Sequence, residues 1–414
     1  LKSLPSNINC TFLPPINKRD LPQDALSVVQ IQLAVFQSIP SIQHALRSLL
    51  STTPLVALIA DLFANEALEI AKELKLLSYV YFPHSAMAVS VFLHLPSLHQ
   101  QISCEYRDHK EAVNIPGCVP IQGRDLPSHF QDRSTLAYKL ILDRCKRLSH
   151  AHGFIVNSFS KIEESCERAL QEHNRVSSSS KSSGVYLIGP NVQTGSSNDP
   201  KGSECVNWLE NQEAKSVLYV SFGSGGTLSQ QQMNELAFGL ELSGEKFLWV
   251  VRAPSDSADG AYLGASSDDP LQFLPNGFLE RTKGRGFVVR SWAPQTQILG
   301  HVSTGGFLTH CGWNSALESI VLGVPMVAWP LFAEQRTNAV LLTEGVKVAL
   351  RPKFNDSGIA EREEIAEVIK GLMVGEEGRL IPGRIEKLRD AAAEALEEHG
   401  PPQGTLPIWH SDES

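Results

Sequence analysis

Gly305-Gly306-Phe307-Leu308-Thr309-His310-Cys311-Gly312-Trp313-Asn314-Ser315 passes from an apolar run into small and polar residues. The stripe Ala316-Leu317, Ile320-Val321 follows, so the segment reads as a strand, a tight turn and the first turns of a helix. Gly323 and Pro325 close that helix. A helix start carries unpaired backbone N–H groups and the positive end of the dipole, which together attract an anion such as phosphate. Asn314 and Ser315 can cap the helix with their side chains or reach the same anion, and His310 adds a donor just before the turn. The residues alone leave both readings open, a capped structural turn or an anion site. A metal at His310-Cys311 is disfavoured, because adjacent ligands are not the usual spacing and no second pair lies nearby.

Outward from this segment the same strand-helix rhythm recurs. Ser216–Ser221, Phe247–Val251, Gly286–Val289 and Pro325–Trp329 join Gly306–Thr309 as five strands of one Rossmann-like sheet. The polar stretch Pro254–Pro275 reads as a surface loop. In the first half, Leu55–Ala60, Tyr79–Phe82 and Gly153–Asn157 are buried-strand runs followed by helical patterns. Between the halves, a run of serines to Ser183 and the Gly, Ser, Asn and Pro of 189–202 change the texture. The expected class is α/β, with two Rossmann-like domains facing across a cleft: 1–190, a linker 191–205, 206–375, and a C-terminal helix and irregular tail in 376–414.

Composition narrows the function. The chain has 414 residues, 42% hydrophobic and 20% charged, as in globular proteins of two domains. A formal charge of −9 leaves no basic surplus for phosphates of nucleic acid. Seven cysteines with no C-x-x-C pair suit reduced thiols rather than a disulfide framework or zinc site. No apolar run reaches the ~18 residues of a membrane span, and the start has no signal-peptide layout. A cytoplasmic monomer is the expected state.

A second Gly-rich turn, Ser221-Phe222-Gly223-Ser224-Gly225-Gly226, follows the first strand of the second half, where α/β sheets bind ligands. It departs from G-x-G-x-x-G at Leu228 and from G-x-S-x-G at Phe222, and it has no G-K-[ST] ending. Dehydrogenase, serine hydrolase and nucleotide triphosphatase all lose support, leaving a phosphate contact through Ser224 and backbone amides. Trp292-Ala293-Pro294-Gln295, His310–Ser315 and Trp329-Pro330-Leu331-Phe332-Ala333-Glu334-Gln335 together resemble the 44-residue signature box of plant UDP-sugar glycosyltransferases. The similarity extends to Cys104–Asp108, Ser221–Gly226 and Phe278–Arg285, and it is nearest the branch that glucosylates hydroquinone.

The resemblance implies a GT-B fold and a role for each matching residue. Trp292 stacks on uracil, Ala293 meets its edge through the backbone, and Gln295 with Glu318 holds the ribose hydroxyls. Ser224, His310, Gly312, Asn314 and Ser315 belong to the diphosphate site, and Trp313, Glu334 and Gln335 to the sugar. Read without the family, Trp292 and Trp313 are equally core residues. UDP-glucose is then a donor substrate, with no cofactor and no metal, and a small phenol is the acceptor.

The implied chemistry is inverting transfer to a phenolic hydroxyl. A phenol with pKa near 10 is only ~0.1% ionised at neutral pH, so a positioned base helps. In the family that base is a histidine near the N-terminus, oriented by an aspartate matching Asp61; the residues alone read Asp61 as a helix N-cap. No histidine of this chain matches the base: His44 sits in a helical context and His84 reads as core or pocket lining. The chain begins at Leu1, so the first domain is expected to be incomplete, short of about one strand, one helix and a second strand. Such a domain would expose strand edges and transfer sugar poorly. Phe63 and Phe92 match positions facing the acceptor, with core packing as the alternative. After Gly400 the run from Pro401 to His410 departs from the family pattern and is expected to be a frameshifted tail. A weak nucleotide-sugar-binding remnant and, more distantly, a nucleotide-linked epimerase or synthase are the rival functions.

Overall fold

Two parallel sheets organise the chain. The computed structural model describes residues 7–22, 25–177, 184–192, 200–261 and 268–397. The start at Leu1, the serines of 178–183 and the tail after Gly400 lie outside the described residues. In the first sheet β1 (Ala57–Asp61), β2 (Leu77–Phe82), β3 (Gly153–Val156) and β4 (Gly184–Leu187) pair in that order. The second holds β5 (Val217–Ser221), β6 (Lys246–Val251), β7 (Gly286–Arg290), β8 (Thr304–Thr309), β9 (Met326–Ala328) and β10 (Ala349–Leu350). Its order is β10-β9-β8-β5-β6-β7, all parallel. The five strands read from sequence are present. β10 adds a sixth, and its two residues carry no periodic signal.

Helices connect the strands: α1 (Ser27–Leu50), α2 (Ala67–Glu73), α3 (Ala86–Gln101), α4 (Leu136–Arg147) and α5 (Ser160–Ser177) in the first half. α6 (Pro200–Glu210), α7 (Gln230–Ser243), α8 (Phe278–Arg281), α9 (Gln295–Leu299), α10 (Trp313–Val321) and α11 (Gln335–Val340) follow. α12 (Arg362–Met373) and α13 (Glu376–Leu396) complete the set. The stretch 191–205, read as linker, is helical from Pro200 onward. Cys205 and Leu209, one turn apart, are both buried, and that apolar pair holds the segment as a helix despite its Gly and Pro.

Position in the sheet decides burial. All five residues of β5 are buried, as a central parallel strand covered on both faces requires. β1 lies at an edge, with only Ala60 buried and Val56 and Ile59 each 58% exposed. The second sheet reverses its strand order between β8 and β5, and the loops leaving these two strands flank that switch point. Ligands of open α/β sheets bind there.

The halves are fastened to one another at several points. The carbonyl of Asn157, just beyond β3, accepts from the Trp313 indole at 2.7 Å, and the Asn157 amide donates to Asn314 Oδ1 at 3.2 Å. Ser85 Oγ donates to Asn338 Oδ1 at 2.9 Å, and Arg351 pairs with Asp125 at 2.8 Å.

Candidate functional site

A cavity of about 390 Å³ opens between the sheets, walled by both halves of the chain. From the second half come the Gly223–Gly225 turn after β5, His310 and Gly312–Ser315 after β8, and Phe332–Gln335 after β9. Leu62 and Phe63 after β1, His84 and Phe92, and Ile141 and Arg144 of α4 form part of the facing wall.

The His310 segment takes the predicted form. β8 ends at Thr309, Cys311 adopts φ +63°, and α10 begins after Gly312. Gly312 supplies no side-chain cap, Ser315 Oγ accepts from Gln295 instead, and Asn314 Oδ1 accepts from Asn157. The helix start is therefore uncapped by side chains, with Gly312, Trp313, Asn314 and Ser315 all in the cavity wall.

Two glycines cradle the imidazole of His310. A Cβ on Gly223 would come within 2.6 Å of Cε1 and Nε2, and one on Gly312 within 2.4 Å of Nε2. Gly223 also has φ +72°, which a side chain disfavours. Desolvation, with Arg252 adding to it, pushes the His310 pKa down to about 4, so the ring is neutral at pH 7. Its Nδ1 is buried with no hydrogen-bond partner among the described residues. Ser224 is exposed beside it, in the wall of the same cavity.

The residues expected at the nucleoside form a separate cluster outside that wall. Trp292 follows Ser291, whose φ is +63°, and its indole is 45% exposed, whereas Ala293 is buried. Gln295 Nε2 donates to Glu318 Oε2 at 2.7 Å and to Ser315 Oγ at 2.9 Å. This joins the cluster to the start of α10. Burial raises the Glu318 carboxyl pKa, partly countered by the Gln295 bond.

At the sugar position the arrangement is more specific than the sequence reading. Trp313 is buried and its N–H is engaged by Asn157, so the indole acts first as a fastener between the halves, though the residue also lines the cavity. Gln335 Oε1 accepts from the N–H groups of Leu331 and Phe332, both at 2.9 Å, which holds its loop and directs its amide nitrogen elsewhere. Glu334 Oε2 lies 3.9 Å from His84 Nε2. His84 is pocket lining, flanked by Phe82 and Phe92.

Asp61 stands apart. It ends β1, is exposed, and its Oδ1 accepts from Ala64 N at 2.8 Å, the capping bond that the residues alone suggest. No histidine among the described residues hydrogen-bonds it. Phe63 and Phe92 do line the cavity.

Sequence reasoning missed His129, Arg144 and Asp259, all in the cavity wall. Desolvation lowers the His129 pKa, opposed by Asp259 and Glu334 and aided by Arg144. Asp259 sits in the stretch read as a surface loop, which Thr227 fastens back by donating N–H to Ala258 and Oγ1 to Ser257. Arg144 did carry a signal: a cation three residues beyond Ile141 on the buried stripe of α4.

Two parallel sheets with a cavity between them, at the switch point of one, form the GT-B arrangement of glycosyltransferases. The chain belongs to the plant UDP-glycosyltransferases and is a UDP-sugar-dependent enzyme by that membership. The family described as UDP-glucoronosyl and UDP-glucosyl transferase matches residues 188–359. Hydroquinone glucosyltransferase of Rauvolfia serpentina is 50% identical over 402 residues, covering 97% of this chain and 84% of the relative. UDP-glycosyltransferase 72B1 of Arabidopsis thaliana is 48% identical over 97% of this chain and 83% of the relative. The solved structure of Phytolacca americana UGT2 complexed with UDP-2fluoro-glucose and pterostilbene superposes with TM-score 0.86 at 46% identity, covering 97% of this chain and 85% of that one. Among the described residues no helix is long and apolar enough to cross a membrane, and no cluster of three or more His, Cys, Asp or Glu could hold a metal ion.

Proposed function

We propose that the chain transfers glucose from UDP-glucose to the hydroxyl of a small phenol such as hydroquinone, giving a β-glucoside. The observation that carries this is the shared cavity, where His310 and the start of α10 face Phe63 and Phe92. The acceptor oxygen forms a bond to the anomeric carbon while the bond from that carbon to the diphosphate oxygen breaks, with inversion. UDP leaves as an anion. The neutral His310 and the N–H groups of α10 are aligned to receive its growing charge. Trp292 stacks on uracil, the Gln295–Glu318 pair takes the ribose, and Glu334 with the Gln335 amide takes sugar hydroxyls. The domain division at 190 and 206 and the cytoplasmic, monomeric state belong to this same proposal, the division supported by the two separate sheets.

One observation favours a second reading, a protein that binds UDP-glucose and transfers it weakly. The phenolic proton needs a base, and Asp61 orients none among the described residues. Calorimetry with UDP-glucose together with product analysis on hydroquinone tests both. Binding with arbutin formation supports transfer, binding without product supports the weak binder, and sugar conversion without an acceptor overturns both.

A further inference from the structure

Arg144 is the most unusual charged residue of the cavity wall. It lies on α4 within the buried stripe Ala137, Tyr138, Ile141, Leu142 and Cys145, and it is only 1% exposed. Its Nε has no hydrogen-bond partner, and its guanidinium makes no ion pair within 4.0 Å among the described residues. None of the nearby carboxylates pairs with it: Glu66 Oε1 accepts from Arg147 at 3.2 Å and from Gln32 at 2.8 Å while its buried Oε2 has no hydrogen-bond partner, and Asp61 accepts from Ala64. What Arg144 does contact is the face of Phe63, 4.6 Å from the ring centroid. A cation–π contact offsets less than burying an unpaired ion costs. Guanidinium cannot escape by deprotonation at neutral pH.

We infer that Arg144 receives a carboxylate of the acceptor, so that the pocket selects phenols that also carry a carboxylic acid, the hydroxybenzoate type. This rests on the reading of the cavity as a phenol-acceptor site. The fork of N–H donors matches a carboxylate in bidentate geometry, and Phe63 and Ile141 provide apolar faces for the ring between. Charge orients the ligand end to end. Glu334 and Asp259, contributed by the second half of the chain, repel the acid group, whereas Arg144, contributed by the first, attracts it. The hydroxyl is thereby left pointing to the donor side. Bond making and breaking are those of the proposed transfer; Arg144 is a specificity residue and takes no proton.

The test is calorimetric titration of the full chain, in saturating UDP, with para-hydroxybenzoate and with its methyl ester. The acid should bind about tenfold more tightly than the ester, the effect of one charge-assisted contact. Arg144→Gln should erase that preference with ester affinity within about twofold, and Arg144→Lys should restore part of it. Equal or weaker binding of the acid by the parent chain overturns the inference, as does a preference that survives Arg144→Gln. The acid–ester comparison on the parent chain decides the matter even if the variants fold poorly. Normal UDP binding without acid preference defeats this inference alone; no UDP binding defeats the phenol-glucosylation reading with it.

Discussion

The two walls of the cavity are made in different ways. The second-half wall rests on backbone at the start of α10, at the Gly223 turn and in the glycine cradle around His310, with Glu334 and Asp259 beside it, and it is carried by buried central strands. The first-half wall includes the side chains of Phe63, Phe92, His84 and Arg144, drawn from loops and helices far apart in the chain, and Asp61 lies outside it on an exposed edge strand. Backbone geometry held by a buried sheet suits a constant group, such as the diphosphate of the proposed donor. A wall of side chains can change its ligand by substitution with the fold unaltered.

Four measurements test that contrast. His310→Ala should cost the most, about 10²–10³-fold in kcat for hydroquinone glucosylation, because the donor side acts on the leaving charge; steady-state rates check it. If the parent chain binds without turnover, UDP affinity carries the same comparison. Trp292→Ala should weaken UDP binding by roughly tenfold or more through lost base stacking, with an unchanged melting temperature because the indole is 45% exposed. A loss of folding instead would show the indole to be core.

Acid should weaken the second half through His310. Its folded pKa of about 4 lies below the ordinary 6.5, so the folded state disfavours the proton. The stability this gives is complete above pH 6.5 and is lost as pH falls through 4, on the order of 3 kcal/mol. Melting curves between pH 7 and 4 should show a steeper decline for the parent than for His310→Gln, and parallel declines would remove the argument. Smallest is the edge strand: Ile59→Thr should shift stability by less than about 0.5 kcal/mol in denaturant titrations, since Ile59 is 58% exposed. A larger loss would mean that this edge is covered in solution.

Legibility in the sequence follows the same division. The turn from Thr309 to Trp313 and the Gly223 turn were readable because each is a local strand-turn-helix pattern within a dozen residues. The capped and anion-binding alternatives were not separable, because what distinguishes them is Gln295 taking Ser315 and Asn157 taking Asn314, contacts from 20 and 157 residues away. Trp313 shows the same limit. The family resemblance implied a sugar contact and the residue alone read as core, and neither pointed to the N–H that fastens the two halves together.

The strand-helix alternation, the tight turn before α10 and the family were written in the sequence, since periodicity, turn chemistry and motif spacing are properties of neighbouring residues. Only the tertiary structure decided which polar groups are free to meet a ligand. Arg144, His129 and Asp259 enter the cavity from three separate segments, and whether a buried charge is paired or open depends on what packs beside it rather than on what precedes it in the chain.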